Sequence, residues 1–275
     1  TDEQKNRFVK PVLAGDRIAA LAVTEPGGGS DVANLQTVAR RDGDDYIING
    51  SKTFISGGMR ADHFTVAVRT GEPGLGGVSM LVVEANSPGF SRTELKKMGW
   101  WCSDTATLHF DDCRVPAANL IGMENAGFAG IMHNFNYERL GLSAQAYGLA
   151  QCCLDEATEW AKQRQTFGKP LIKHQVIRHK LVDMATRINA TKATLEALAW
   201  RVDQGETPIA EICMLKNLAT GTLEFCANEA VQIFGGMGYM RETKVERIYR
   251  ETKVMSIGGG ATEIMKDLAA RQMGF

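Results

Sequence analysis

Glu138 is the most unusual candidate for chemistry in this sequence, because it continues the apolar face of a predicted helix. Leu142, Leu149 and Cys153 share that face, and one turn further back the same face includes Glu138. A carboxylate on a core-facing stripe is costly unless it is paired or its pKa rises. The adjacent Arg139 is about 100° around the helix and does not face it. Two interpretations remain: a structural ion pair with another helix, or a general base with a raised pKa in a dry pocket.

Three glycine-rich segments could let the backbone approach a ligand closely. Thr24–Asp31 has hydroxyl groups near both ends, but no strand–turn–helix context follows it, so it is not a dinucleotide-binding fingerprint. Gln232–Gly238 ends a predicted helix, and Gly258–Gly260 precedes the last one. Taken alone, each segment is equally consistent with a helix cap or turn and with ligand contact.

Histidine and cysteine give little support for hydrolytic or metal-dependent chemistry. No histidine belongs to a recognised nucleophile motif, and His174 and His179 miss the i,i+4 spacing of a helical metal pair. The 6 cysteines have no paired CxxC spacing. We therefore predict no metal site, and most cysteines as small core residues in a reducing compartment.

The composition is that of a soluble globular protein, with 44% hydrophobic and 23% charged residues. Lys and Arg total 31 and Asp and Glu total 32, so the net charge is −1. This balance gives no support for nucleic acid or an anionic membrane as a partner. The longest uncharged stretch, Leu140–Leu154, is too short and too polar to span a bilayer, and the sequence does not open with a signal-peptide pattern.

Short segments rich in β-branched residues predict an antiparallel β-domain between about residues 33 and 122. Arg41–Asp44 predicts a hairpin turn, because Asp-Gly supplies the positive φ that such turns need. The predicted strands are Leu35–Ala39, Asp45–Asn49, Lys52–Ser56, His63–Arg69, Val78–Glu84 and Thr105–Asp111.

From Glu124 onward the hydrophobic period becomes helical. Three long amphipathic helices with short connections are typical of an antiparallel bundle, and Gly205 with Pro208 marks the break between the second and third. The apolar face of the second helix includes Ile177, Met184, Ile188 and Leu198, and that of the third includes Ile212, Leu215, Ala219, Cys226, Ala230 and Ile233.

The order of motifs along the chain resembles that of the acyl-CoA dehydrogenases, a family of flavoproteins. Five motifs in sequence, spread over nearly the whole chain, make the resemblance specific. The matching segments are Leu21–Asp31, Asn49–Ser56, Arg164–Leu171 with Gln175, Gln232–Gly238, and Arg247–Arg250 followed by Ile257–Ile264.

The resemblance implies an α+β multidomain fold, with an antiparallel β-domain over residues 18–122 and a C-terminal antiparallel four-helix bundle over residues 123–275. Residues 1–17 would be the remnant of the family's N-terminal helical domain, so we expect this chain to be a fragment. FAD would be held between the two domains and would reach a neighbouring subunit of a homodimer or homotetramer.

The resemblance also assigns FAD-binding residues, position by position. Leu21, Val23, Thr24, Ser30, Phe54 and Ser56 would contact the flavin half. Arg164, Thr166, Phe167, Gln232, Gly235 and Gly236 would hold the rest, partly across the subunit interface. The assignment is physically reasonable, because an arginine fork suits pyrophosphate and glycines allow close backbone contact.

The sequence departs from the family where many members carry a tyrosine and a catalytic glutamate, since Gly258 and Gly259 stand there. A branch that includes isovaleryl-CoA and long-chain acyl-CoA dehydrogenases carries the carboxylate on the first long C-terminal helix, at the position of Glu138. The resemblance therefore implies Glu138 as the base, with Glu263 as the alternative. The implied substrate-binding residues are Ser30, Arg139 (for the CoA portion), Gly258 and Gly259 (through its amide).

The implied reaction belongs to fatty acid metabolism. Glu138 removes the α-proton of an acyl-CoA, the β-hydrogen leaves as hydride to FAD, and the product is a trans-2-enoyl-CoA. An electron-transfer flavoprotein would accept the electrons, in the cytoplasm of a bacterium rather than in a mitochondrial matrix. Gly258 in place of tyrosine predicts a wider acyl pocket.

Three alternatives remain open at this point. An acyl-CoA oxidase would pass electrons to oxygen, and a flavin-dependent monooxygenase on the same scaffold would usually lack the carboxylate. A catalytically silent binding protein could also keep the fold.

Overall fold

The β-rich half of the sequence folds into one eight-stranded sheet in the computed structural model, which describes all residues, Thr1–Phe275. The strand order is β6-β7-β3-β2-β4-β5-β8, and β1 lies beside β4. The strands are β1 (Ala19–Ala22), β2 (Val38–Asp42), β3 (Asp45–Ser56), β4 (His63–Arg69), β5 (Val78–Glu84), β6 (Phe90–Glu94), β7 (Thr105–Pro116) and β8 (Leu120–Ile121).

The predicted hairpin is confirmed, with Asp42 of β2 paired to Asp45 of β3 and Gly43 at φ 60°. The two strands predicted on either side of Gly50 form the single strand β3, because Gly50 adopts φ 142° at a register shift and pairing with β7 resumes beyond it. The short strands β1, β6 and β8 were not predicted. β1 pairs with β4 in parallel, as does a single residue of β2, so the sheet is mostly rather than wholly antiparallel.

The core of this unit consists of side chains from β3, β4, β5 and β7. Ile48, Phe64, Leu81 and Leu108 have no exposed surface. Burying one such side chain stabilises the fold by about 1.5–3 kcal/mol. The loop that follows β1 is therefore attached to a well-packed sheet.

A helical segment precedes the sheet, as predicted for residues 1–17. It comprises α1 (Asp2–Gln4), a π-helical turn (Lys5–Val9) and α2 (Lys10–Leu13). Phe8 is buried with its ring centroid 5.4 Å from that of His63 on β4.

The second half of the chain is helical, also as predicted. Its helices are α3 (Gly127–Gln163), α4 (Gln175–Asp203), α5 (Ile209–Phe234), α6 (Lys244–Ile257) and α7 (Thr262–Met273), and a two-stranded hairpin of β9 (Gln165–Thr166) and β10 (Lys169–Pro170) follows α3. The predicted phases of the second and third helices are confirmed, since Ile177, Met184 and Ile188 of α4 are buried, as is Leu215 of α5. α7 packs on α5 through Cys213 and Met265.

The chain divides into two compact units, residues 1–133 and residues 134–275. A β-sheet domain followed by a C-terminal helical domain is the fold class predicted, whereas the bounds 1–17, 18–122 and 123–275 stay predictions. None of the helices combines the length and the hydropathy that a bilayer crossing requires.

Candidate active site

A buried ion pair fixes the start of the glycine loop that follows β1. Lys52 of β3 has no exposed surface, and its Nζ donates to the carbonyl of Val23 at 3.0 Å and to Glu25 Oε1 at 2.7 Å. The Glu25 carboxylate also accepts the backbone N–H groups of Gln36 at 2.6 Å and Thr37 at 2.8 Å. The Lys52 side chain of the sheet therefore anchors the start of the glycine loop.

Electrostatics keep this pair charged at neutral pH. Burial alone would raise the pKa of Glu25, but Lys52 and the hydrogen-bond donors outweigh it and lower that pKa. Burial lowers the pKa of Lys52 to about 8, although Glu25 opposes the shift. The carboxylate is therefore ionised, and it still favours the ammonium form of its partner.

Beyond the ion pair, the glycine loop exposes its backbone. Glu25 and Gly28 exchange backbone hydrogen bonds of 3.1 and 3.2 Å in a tight turn. Gly27 and Gly28 are exposed, and a Cβ added at either would meet nothing within 4 Å. The loop therefore offers open backbone that a ligand can approach.

Phe54 is held beside this loop in a strained conformation. The amide of Thr53 donates to the carbonyl of Thr24 at 2.8 Å, which joins β3 to the loop. Phe54 has φ 60° at a register shift of β3, and its residue is 70% exposed. An L-residue in this region costs about 1–2 kcal/mol, and such strain is common at ligand sites. The structure thus places Leu21, Val23, Thr24, Phe54 and Ser56 on adjacent segments, with Ser30 at the far end of the loop.

The hairpin after α3 carries a second strained, exposed aromatic residue. Phe167 has φ 47° and is 96% exposed. Thr166 is fixed by a 3.1 Å hydrogen bond between its Oγ1 and His174 Nε2, and Arg164 is exposed just before β9. The ring of Phe167 is therefore presented outward, three residues after the exposed Arg164.

The end of α5 lies at the same end of the helical unit as this hairpin. Trp160 near the end of α3 stacks on Phe234 at the end of α5, with ring centroids 4.8 Å apart. Gln232, Gly235 and Gly236 are exposed there. The predicted residues for the non-flavin part of FAD are thus brought together.

These features fit the FAD that the resemblance implies. Gly27, Gly28 and Gly236 leave backbone open to contact, and Phe54 and Phe167 offer exposed rings for packing. In contrast, no group of three His, Cys, Asp or Glu side chains is placed to hold a metal ion.

The prediction that Glu138 faces the core is wrong. Glu138 is exposed, and its Oε1 accepts a 2.7 Å hydrogen bond from Asn134 Nδ2. The buried stripe of α3 is formed by small residues such as Ser143, Ala146 and Ala150, whereas Leu142 lies only half-buried at its edge. Glu138 stands four residues before Leu142, at the edge of the buried stripe. Arg139 stands four residues before Ser143, at the centre of that stripe.

Arg139 takes the buried place expected of Glu138. It is 5% exposed, its Nε donates to the carbonyl of Gly259 at 3.0 Å, and its Nη1 donates to Asn136 Oδ1 at 3.0 Å. Burial lowers the pKa of Arg139, and Glu138 partly offsets the effect. This guanidinium serves the loop before α7, so its predicted contact with CoA stays a prediction.

The three-glycine loop meets the edge of α3 that carries Glu138. A Cβ added at Gly259 would stand 2.5 Å from Leu142 Cδ1, and Leu142 is one turn, about 6 Å along the helix, from Glu138. Gly258 and Gly259 are half-buried, and Glu263 is exposed in the first turn of α7. Arg139 therefore contacts Gly259 directly, and Glu138 lies one helical turn from the Leu142 contact, while the roles of these residues stay predictions.

The two groups of predicted residues in the helical unit lie far apart. Glu138 lies in the first half of α3 and Arg164 directly follows its last residue, roughly 39 Å further along a continuous helix. An extended dinucleotide is shorter than this distance. The two groups are therefore well separated within one protomer.

Three buried charged residues beside these segments were not predicted: Glu25, Lys52 and Lys216. The two lysines have a signal in the sequence. Lys52 stands at the same alternate positions of β3 as Tyr46 and Ile48, and Lys216 is the only basic residue of α5, next to the core residue Leu215.

Comparison with known proteins identifies the family of the chain. The family model for the acyl-CoA dehydrogenase middle domain matches residues 20–113, and the model for the acyl-CoA dehydrogenase C-terminal domain matches residues 125–274. The chain belongs to the acyl-CoA dehydrogenase family. It is therefore an FAD-dependent oxidoreductase, as predicted.

Relatives and a solved structure match over nearly the whole chain. An acyl-CoA dehydrogenase of Bacillus subtilis is 39% identical over 99% of this chain and 72% of its own, and a 3-(aryl)acrylate reductase of Clostridium sporogenes is 37% identical over 99% and 73%. The crystal structure of a probable acyl-CoA dehydrogenase from Mycobacterium abscessus is 54% identical, with a TM-score of 0.98, over 100% of this chain and 73% of its own.

Proposed function

We propose that this acyl-CoA dehydrogenase family member converts an acyl-CoA thioester to a trans-2-enoyl-CoA, with Glu138 as the base. The observation that carries the proposal is that Glu138 lies on the edge of α3 that meets Gly259, where the family's usual glutamate is missing. Glu138 is an exposed carboxylate beside the loop, able to accept a proton.

The chain's own residues divide the work of α-proton removal. FAD, when bound, supplies the acceptor for the hydride that leaves the β-carbon. Asn134 orients the Glu138 carboxylate through its 2.7 Å hydrogen bond, and one carboxylate oxygen remains for the α-proton. The Gly259 amide donates to the thioester carbonyl, where negative charge develops as the proton leaves.

The same proposal assigns the FAD contacts. Leu21, Val23, Thr24, Ser30, Phe54 and Ser56 bind the flavin half, and Arg164, Thr166, Phe167, Gln232, Gly235 and Gly236 bind the remainder. The strained, exposed rings of Phe54 and Phe167 support this assignment. Ser30, Arg139, Gly258 and Gly259 serve the acyl-CoA.

A homo-oligomer, a dimer or tetramer, completes each site. The roughly 39 Å between Glu138 and Arg164 supports this, because the two groups can serve one FAD only when they come from different protomers. Size measurement of the FAD-loaded protein tests it.

An electron-transfer flavoprotein in the cytoplasm, rather than in a mitochondrial matrix, accepts the electrons. All six cysteines are unpaired, which fits a reducing compartment. Peroxide formation on adding acyl-CoA would instead indicate an oxidase. Because one relative is named a reductase, the enoyl-CoA should also be assayed as a substrate with reduced FAD enzyme.

Gly258 favours branched or bulky acyl chains, because no aromatic ring occupies that position. A panel of straight, branched and ring-bearing acyl-CoAs, assayed by anaerobic bleaching of the flavin absorbance, measures this preference. Turnover of short straight chains alone would contradict it.

Glu138→Gln tests the base directly. We expect the rate of flavin bleaching to fall by about 10²–10⁴-fold, because the amide cannot accept the α-proton, while FAD content stays unchanged. Glu263→Gln is the matched control and should stay close to the wild-type rate. Turnover retained in Glu138→Gln and lost in Glu263→Gln would move the role to Glu263.

A further inference from the structure

Lys216 is a fully buried cation with no acidic partner. Its residue has no exposed surface, and its Nζ donates to the carbonyl of Gly260 at 2.6 Å. No carboxylate lies within ion-pair distance of it. A buried ammonium is costly without a counter-charge, so an ordinary packing role explains its presence poorly.

Lys216 and Arg139 bind consecutive carbonyl groups of the three-glycine loop. Arg139 reaches Gly259 from α3, and Lys216 reaches Gly260 from α5. Burial lowers the pKa of Lys216 to about 8, with Arg139 adding to the effect. Two mutually repelling cations are therefore held against one short segment.

The loop needs such anchors because its own backbone is unusually free. Gly259 has φ 69° and Gly260 has φ 110°, and glycine loses more conformational freedom on ordering than any other residue. Peptide groups are planar, so fixing the carbonyls of Gly259 and Gly260 fixes the two peptide planes that also carry the amide groups of Gly260 and Ala261. Together the two anchors hold the chain on the C-terminal side of Gly259, which limits the positions that the Gly259 amide can take.

We propose that Lys216 is a positioning residue that, through the carbonyl of Gly260, fixes the three-glycine loop so that its Gly259 amide is ready to receive the acyl carbonyl. This inference rests on the proposed dehydrogenation. Lys216 touches neither the substrate nor FAD in this role. It acts before the substrate binds, by removing alternative loop conformations.

The test compares Lys216→Met, Lys216→Gln and Lys216→Arg in the FAD-loaded protein, with Lys192→Met as the control at an exposed position of α4. The first readout is hydrogen–deuterium exchange of residues 257–264 without substrate. We expect at least about tenfold faster exchange in Lys216→Met, partial recovery in Lys216→Gln, and no change in Lys192→Met.

The second readout separates positioning from folding. In Lys216→Met we expect kcat to fall about 100-fold with KM within about threefold, and the carbonyl band of a bound enoyl-CoA to lose its red shift. FAD content should match the wild type. Should Lys216→Met fail to fold, Lys216→Gln and Lys216→Arg carry the same comparison.

Unchanged exchange, kcat and carbonyl band in the folded variants would overturn the inference. If none of the acyl-CoA substrates bleached the flavin of the wild-type protein, the proposed function would be refuted instead. The exchange experiment would still report whether Lys216 anchors the loop. Glu138→Gln should keep the red-shifted band without turnover, which separates loss of the base from loss of the anchor.

Discussion

The exposed ring of Phe54 combines backbone strain with a predicted role in FAD binding, and two substitutions separate these effects. Phe54→Ala and Phe54→Gly both remove a ring that is 70% exposed, so both should weaken FAD binding equally. Only glycine relieves φ 60°. We expect the free energy of unfolding, measured with denaturant, to be about 1 kcal/mol higher for Phe54→Gly than for Phe54→Ala.

A glycine within a strand normally makes the protein less stable than an alanine does, and the strain at Phe54 should reverse this order. Val38 of β2, at an ordinary strand position, provides the comparison: Val38→Gly should be less stable than Val38→Ala. The same order at both positions would show that Phe54 stores no strain.

The buried Lys216 predicts a distinct dependence of stability on pH. Its pKa is about 8 in the folded protein against 10.5 ordinarily, so between these values the unfolded chain binds the proton that the folded chain has released. Stability should therefore rise with pH across this window. Relative to Lys216→Met, the wild type should gain about 2 kcal/mol between pH 7.5 and 10, measured by urea unfolding.

Lys52 titrates in the same range but is present in both proteins, so its effect cancels in the difference. The facing groups are Arg139 and Cys213, which are also common to both. A constant difference across the window would show that Lys216 keeps an ordinary pKa.

At the scale of elements, β3 and the glycine loop are coupled through Lys52 and Glu25. Glu25→Gln or Lys52→Met alone should cost about 3–5 kcal/mol, because each leaves the partner's charge buried. The double substitution should cost less than the two single costs combined, with a coupling of about 1–3 kcal/mol by denaturant unfolding. The exposed pair Lys192–Glu196 is the control, with coupling near zero.

Additive effects of the two single substitutions would contradict this coupling. Because the pair also holds Val23 and the start of the glycine loop, the single variants should bind FAD more weakly as well.

Sequence patterns predicted the helices and strands better than they predicted which side chains are buried and which are exposed. Long periodic segments such as α4 and α5 bury the predicted residues, and the Asp-Gly turn forms as expected. The two-residue β8 and the four-residue β1 are too short for a periodic signal, and pairing with neighbours creates them. In α3 the large residue Leu142 is at the edge and small residues such as Ala146 are at the centre, so hydrophobicity alone misplaced Glu138.

The residues of the candidate site came chiefly from the order of motifs rather than from periodicity. Buried charges such as Lys52 and Lys216 are stabilised by contacts with distant segments, including the carbonyls of Val23 and Gly260. No local pattern specifies these partners, although a lone basic residue on an apolar helix face was a usable signal.

At the scale of the whole molecule, sites built from two protomers predict complementation. Glu138→Gln and Arg164→Ala should each be nearly inactive alone, one lacking the base and the other binding FAD poorly. Mixed oligomers would contain sites that combine an intact Glu138 with an intact Arg164 from the other protomer. Co-expression should restore about a quarter of wild-type activity under random dimer assembly.

Activity of the mixture no higher than the separate variants would indicate that each site is built within one protomer. The control is co-expression of two copies of the Glu138→Gln variant, which should restore no activity.

The continuity of α3 restricts how this family member can change. One inserted residue between Glu138 and Arg164 would turn one terminus by about 100° relative to the other and lengthen the helix by about 1.5 Å. Substitutions along the exposed side leave this relationship intact, whereas any insertion or deletion disturbs both ends together. We therefore expect related sequences to vary freely in composition here and to keep the number of residues constant.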